Sequence, residues 1–171
     1  MTAPSDVDLQ QLARSVGDHL LPRAGTLVTA ESCTGGLIGH RLTEVPGASD
    51  YFLGGVVSYS NDAKCDLLRV PAEVLARHGA VSPETARDMA RGVREVFHAA
   101  IGLAVTGIAG PSGGSPEKPV GTVYIGLATD QGEEVWHYQF HGNRAEIKTL
   151  TAETALDRLR RELKKLSAVS C

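Results

Sequence analysis

At 171 residues, with 42% hydrophobic and 22% charged residues, the chain has the size and make-up of one folded domain with an adequate core. A formal charge of −3 leaves no basic footprint for nucleic acid, and 5% aromatic residues leave little surface for stacking bases. No run approaches the ~18 apolar residues of a membrane helix, and Met1–Gln10 carries Asp6 and Asp8 without an apolar core, so neither a membrane span nor a signal peptide is expected. Cys33, Cys65 and Cys171 are an odd number at spacings that suit neither zinc nor a disulfide framework, and reduced thiols in the cytoplasm are the expectation.

After a loose start (residues 1–7), Leu9, Leu12, Val16 and Leu20 predict an amphipathic helix ending near Pro22 and Gly25. A strand follows at about 26–30, then a helix to about Glu44 stopped by Pro46-Gly47. Phe52–Tyr59 reads as a second strand, and Asn61 or Asp62 as the cap of a short helix through Lys64, Leu67 and Leu68. Pro71–His78 forms another turn or two. Ser82-Pro83-Glu84 opens a helix with a hydroxyl cap, a proline at the first position and an acid beside the dipole. Its apolar stripe is Ala86, Met89, Ala90, Val93, Val96 and Phe97, with Asp88, Arg91 and Glu95 paired on the wet face.

Ile101–Val105 is a continuous apolar strand, as in a sheet covered on both faces. A loop rich in Gly, Pro and Ser runs from Gly107 to Pro119. Val120–Thr129 and Glu134–Phe140 are strands joined around Asp130-Gln131-Gly132, a hairpin signal. Asn143 with Glu146 forms a capping box for a last helix lined by Ile147, Leu150, Leu156, Leu159 and Leu163, with residues 167–171 loose. Its basic cluster is a solvated face carrying Asp157–Arg161 and Arg158–Glu162 pairs. Helical and extended segments alternate early and a hairpin comes late. The fold class is therefore α/β, a single-domain α/β/α sandwich whose mixed β-sheet is covered by helices on both faces.

The six histidines give no metal site: His137 and His141 are four apart, but on a strand that separation spans ~13 Å. His19, His40, His78 and His98 lie singly on helical patterns. Neither a metal nor a cofactor is expected. Chemistry is better placed at AESCTGG (30–36), where a strand hands over to a helix. Unpaired amides and the helix dipole at such a junction favour anions and developing oxyanions, and Gly35 and Gly36 let a ligand approach the backbone. Ser32 or Thr34 can equally serve only as a helix cap. The glycines of the 107–119 loop free successive amides to surround an anion, with Ser112, Ser115 or Lys118 as further donors. The loop is neither a P-loop nor a dinucleotide fingerprint. Tyr59 and Lys64 stand where a strand end and the next helix can converge on one point, or remain a rim aromatic and an exposed charge.

The segments AESCTGG (30–36), FLGGVVSYSNDAK (52–64), HGAVS (78–82), AVTGIAGPSGG (104–114) and KPVGTVY (118–124), in this order, closely resemble the C-terminal domain of the competence/damage-inducible protein CinA and its stand-alone relatives. The resemblance covers roughly residues 8 to 165. The N-terminal molybdopterin-binding-like domain is not among the matched segments, and its functions are not implied. The stand-alone form is similar to bacterial nicotinamide-nucleotide amidohydrolases, nicotinamide mononucleotide deamidases of the PncC type.

That resemblance implies hydrolysis of the carboxamide of nicotinamide mononucleotide to nicotinate mononucleotide and ammonia, in pyridine-nucleotide salvage. It carries the catalytic serine, tyrosine and lysine onto Ser32, Tyr59 and Lys64. A serine needs a base, and a lysine lowered in pKa by burial or by nearby positive potential can supply one. Tyr59 would orient the serine proton or pass it to Lys64, and amides of Cys33 or Thr34 would hold the oxyanion. Substrate-binding residues are expected at Cys33, Thr34, Gly35, Thr106, Gly107, Gly110, Gly113, Gly114 and Arg144, with the 5′-phosphate on the loop around Gly110–Gly114. Asn143 stands where relatives often show aspartate, and Ser112 where glycine is frequent. The partners expected are this small-molecule nucleotide and a second copy, as a dimer, with no nucleic acid and no membrane. Three alternatives remain: a non-catalytic nucleotide-binding or regulatory module, a related nucleotide amide as substrate, and Cys33 as nucleophile.

Overall fold

The apolar runs around Val28 and Leu103 become central strands because both of their faces are covered. In the computed structural model, which describes residues 6–169 and the side chains of 9–165, the chain begins with helix α1 (Asp6–Leu20), strand β1 (Leu27–Glu31) and helix α2 (Leu37–Thr43). Strand β2 (Phe52–Val57) is followed by helices α3 (Asn61–Leu68), α4 (Ala72–His78) and α5 (Pro83–Phe97). Strands β3 (Ile101–Gly107), β4 (Thr122–Thr129) and β5 (Gly132–Gln139) precede the long helix α6 (Arg144–Val169). Residues 6 and 7, and 167 to 169, are thus helical where loose ends were expected. The remaining terminal positions, 1–5 and 170–171, lie outside the described residues.

The five strands form one sheet in the order β2-β1-β3-β4-β5. β1 runs parallel to β2 and β3, while β4 is antiparallel to both β3 and β5. From β1 the chain steps outward to β2, then crosses back to β3 on the other side. The carboxyl ends of these three strands therefore flank a crevice at a topological switch point, the usual ligand position in such sheets. On one face Leu27, Leu103, Val105, Val123 and Ile125 pack with Val16 of α1, Ile38 of α2 and Ile147, Leu156 and Leu159 of α6. On the other, Val28, Ala30 and Ala104 meet Leu68, Met89, Ala90 and Val93 from α3 and α5. The mixed sheet with helices on both faces matches the sequence reading.

Ser82 caps α5 by accepting the Thr85 amide at 3.1 Å. The box at α6 closes in both directions: Asn143 Oδ1 accepts the amides of Ala145 and Glu146, and Glu146 Oε2 accepts the Asn143 amide at 2.7 Å. Three local expectations give way. The cap of α3 is Ser60, whose hydroxyl accepts the Ala63 amide, rather than Asn61 or Asp62. Val96 is 39% exposed, outside the buried arc of α5. Asp157 pairs with Arg160 and Arg161, but no Arg158–Glu162 bridge forms. Arg158 lies over the Trp136 and Tyr138 rings, and Glu162 takes Lys165 instead.

Among the described residues no helix is long and apolar enough to cross a membrane, and no three His, Cys, Asp or Glu side chains gather as a metal site.

Candidate active site

Ser32 follows the last residue of β1. Its amide continues the sheet by donating to Val105 O at 3.1 Å, and its carbonyl closes a turn by accepting the Gly35 amide, also at 3.1 Å. The residue at the cap position of α2 is Gly36, which has no side chain to bond there, and Ser32 makes no capping bond. The capping alternative for Ser32 therefore falls away.

The helix start is held by an acid instead. Glu31, buried to 2% exposure, accepts the Thr34 hydroxyl (2.6 Å) and the amides of Gly36 (3.0 Å) and Ile38 (3.1 Å) on Oε2, and the Gly39 amide (2.8 Å) on Oε1. The first-turn donors expected to face a ligand are mostly spent on this carboxylate, and Thr34 turns its hydroxyl toward it as well. The amides of Cys33 and Thr34 keep no protein acceptor among the described residues. They are the oxyanion donors that remain.

Lys64 is not an exposed helix charge. With 1% exposure, its ammonium donates to Ser32 Oγ at 3.1 Å and to the Ser58 carbonyl at 2.7 Å. Burial lowers its pKa from the ordinary lysine value, since the charged form has lost its water. A serine hydroxyl and an amine displaced toward neutrality, in direct contact, form a nucleophile–base pair. Burial acts in the opposite sense on Cys33, whose thiol is pushed up to about 12. That residue is a buried neutral thiol, unsuited to be the nucleophile.

Ser32, Cys33, Tyr59, Lys64, Thr106, Gly107, Gly110, Gly113 and Arg144 all line one cleft of about 260 Å³. Thr34, Gly35 and Gly114 do not. Tyr59 is 61% exposed, and its hydroxyl accepts from Arg144 Nη2 at 2.8 Å. No hydrogen bond joins it to Ser32 or Lys64 among the described residues, so the expected proton contact is not made here. Arg144 Nη1 donates to the Gly110 carbonyl at 2.8 Å, bracing the glycine loop against Tyr59. The loop backs onto the turn before β4 so closely that a Cβ on Gly110, where φ is +74°, would lie 2.5 Å from Val120 Cγ1.

Two donors expected from that loop are engaged elsewhere. Lys118 Nζ reaches the His78 carbonyl at 2.8 Å, and Ser115 bonds Glu117 and the Lys118 amide. Thr106 gives its hydroxyl proton to Ala80 O at 2.7 Å, tying the cleft wall at 80–81 to β3. Ser112, an expected loop donor, also lines the cleft, and Ala80, Val81, Ile108 and Ala109 complete the lining; these four were not named as site residues, although all lie in matched segments, 78–82 and 104–114. Ala109 and Arg144 are shared with an adjoining cleft of about 570 Å³, which Lys148 also lines. The spacing of four from Arg144 on a predicted helix was the available signal for Lys148.

Comparison with known proteins bears on this arrangement. The family described as "CinA C-terminal domain" matches residues 9–163. The CinA-like protein of Desulfotalea psychrophila is 52% identical over 156 residues, covering 91% of this chain and 38% of that protein. That of Geobacter sulfurreducens is 59% identical over 138 residues, 81% of this chain and 33% of that one. The chain thus spans between 33% and 38% of the length of these curated relatives. Among solved structures, the competence/damage inducible protein CihA of Agrobacterium tumefaciens superposes with a TM-score of 0.87 at 43% identity, over 96% of this chain and 99% of that one. A CinA superfamily protein of Klebsiella pneumoniae gives 0.88 at 32% identity, over 92% and 98%.

Proposed function

The chain belongs to the CinA C-terminal domain family, and from that premise we propose that it is a serine amidohydrolase that converts nicotinamide mononucleotide to nicotinate mononucleotide and ammonia. The observation that carries the reading is the buried 3.1 Å contact between Lys64 Nζ and Ser32 Oγ. Neutral Lys64 takes the proton of Ser32 as Oγ attacks the carboxamide carbon. The carbonyl oxygen becomes an oxyanion against the free amides of Cys33 and Thr34, where one such donor is worth roughly 3–4 kcal/mol in the transition state. Protonated Lys64 then delivers its proton to the leaving nitrogen, the C–N bond breaks and ammonia departs. Water attacks the resulting ester, giving its proton to Lys64, which returns it to Ser32 Oγ as the acid is released. Tyr59 acts at the rim, its hydroxyl held over the cleft by Arg144.

The test is ammonia release from nicotinamide mononucleotide in excess EDTA. Turnover should survive the chelator, and Ser32→Ala and Lys64→Met should each lower kcat at least ~10²- to 10⁴-fold with folding intact. A folded wild type that binds the nucleotide and releases no ammonia would instead identify a binding module, and an active Ser32→Ala would refute the nucleophile.

A further inference from the structure

Four lysine and arginine side chains stand on the segments that wall the two adjoining clefts, and three are already engaged. Lys64 holds Ser32 and Ser58, Lys118 holds the His78 carbonyl, and Arg144 spans from Gly110 to Tyr59. Lys148 lies one turn beyond Arg144 on α6, half-buried, with no hydrogen bond or ion pair among the described residues. Its ammonium is 3.7 Å from the point where a Cβ would stand on Gly35, and its charge is felt at Cys33. The acids within reach of this corner do not neutralise it. Glu31 is occupied by its four donors, and Glu146 by the Asn143 amide.

We propose that Lys148 is the residue that takes the phosphate of the mononucleotide, while Arg144 braces the cleft wall. This rests on the amidohydrolase reading above. The turn closed by Gly35 N and Ser32 O keeps those two Cα atoms within about 7 Å. Lys148 Nζ therefore stands within roughly 12 Å of Ser32, about a ring and a sugar away from a carboxamide at the nucleophile. The adjoining cleft that Lys148 lines has an apolar wall formed by Ala109, Pro111, Val120 and Ala145, and it shares Ala109 and Arg144 with the cleft of Ser32. An unpaired ammonium at the edge of such a wall meets a dianion with less screening than in open water.

The experiment compares wild type, Lys148→Met and Lys148→Arg on nicotinamide mononucleotide and on nicotinamide riboside, which lacks the phosphate. Loss of one charge-assisted contact should raise KM for the mononucleotide roughly 10- to 100-fold with kcat nearly unchanged. The riboside kcat/KM should stay as in wild type, and Lys148→Arg should recover most of the lost affinity. Equal losses on both substrates would mark Lys148 as structural or as part of the chemistry, and an unchanged KM would remove it from binding; either overturns the proposal. Calorimetric binding of nicotinate mononucleotide is read in parallel, independent of turnover. If wild type binds this ligand but releases no ammonia, the amidohydrolase reading fails alone, and a roughly 10- to 100-fold weaker Kd in Lys148→Met still upholds the phosphate contact. An unchanged Kd, or no binding by wild type, overturns it.

Discussion

Removing the Glu31 carboxylate leaves four donors without an acceptor: the Thr34 hydroxyl and the amides of Gly36, Ile38 and Gly39. A hydrogen bond to a charged acceptor is worth ~1.5–3 kcal/mol, so four would sum to roughly 6–12 kcal/mol if they were independent. They are not, because one vacated site admits water to several donors at once, and single substitutions beyond ~4–5 kcal/mol are exceptional. Glu31→Ala should therefore cost about 3–5 kcal/mol. Glu31→Gln behaves differently. Its carbonyl oxygen can occupy the Oε2 position, where three of the four donors converge, while its NH₂ then opposes the Gly39 amide. One contact is lost and one donor–donor clash appears, for about 1.5–2.5 kcal/mol. Urea unfolding with unchanged m-value measures both. For a chain of this length the alanine variant should lose roughly 6–20 °C in Tm. A cost below about 1 kcal/mol for Glu31→Ala, or a glutamine as damaging as the alanine, would refute the view that this carboxylate holds the nucleophile's turn.

If Lys64 is the base, kcat/KM for nicotinamide mononucleotide should rise with pH as Lys64 loses its proton, with a midpoint below the ordinary lysine value of 10.5. A guanidinium cannot deprotonate, so a folded Lys64→Arg should be inactive; activity within tenfold of wild type would exclude this base. The same lowered pKa has a stability consequence. Between the folded and unfolded pKa values the unfolded chain carries the extra proton, so stability rises with pH through that window. Lys64→Met should abolish the rise and increase Tm at neutral pH, whereas a Tm below wild type at pH 7 would show that the ammonium's two hydrogen bonds outweigh its desolvation. Cys33, its thiol pushed up to about 12 by burial, stays protonated at pH 7. Peptide mapping after iodoacetamide should find Cys65 modified well before Cys33, and the reverse order would reopen Cys33 as nucleophile.

Where interactions are local, the sequence could be read directly. The cap at Ser82 and the reciprocal box at Asn143–Glu146 involve residues three apart, and both form as their spacing predicts. The unbroken apolar run of β3 disclosed a sheet covered on both faces. Arg158 shows the limit of local rules: the partner four residues on was available, but the aromatic faces of Trp136 and Tyr138, brought up by β5, took the guanidinium. Lys118 likewise reads as a loop donor until the fold sets the His78 carbonyl, forty residues earlier in the chain, beside it.

The decisive features of the site share this non-local origin. Nothing in the pattern around Lys64 distinguishes it from a solvated helix lysine, because its burial comes from the fold bringing α3 beside Ser32 and Ser58, the residues that follow β1 and β2. Glu31 is one acid at the end of an apolar strand, and its four donors assemble only once the turn at 32–36 has closed. Together they give Ser32 two buried neighbours of opposite kind. The acid is met by four donors, which fix its position. The amine meets only two neutral oxygens, which offer its charge little compensation for lost water. A carboxylate fixed by four donors supports the geometry of the turn, and a weakly compensated ammonium is one that releases its proton. That asymmetry is what a serine without a histidine partner requires of its surroundings.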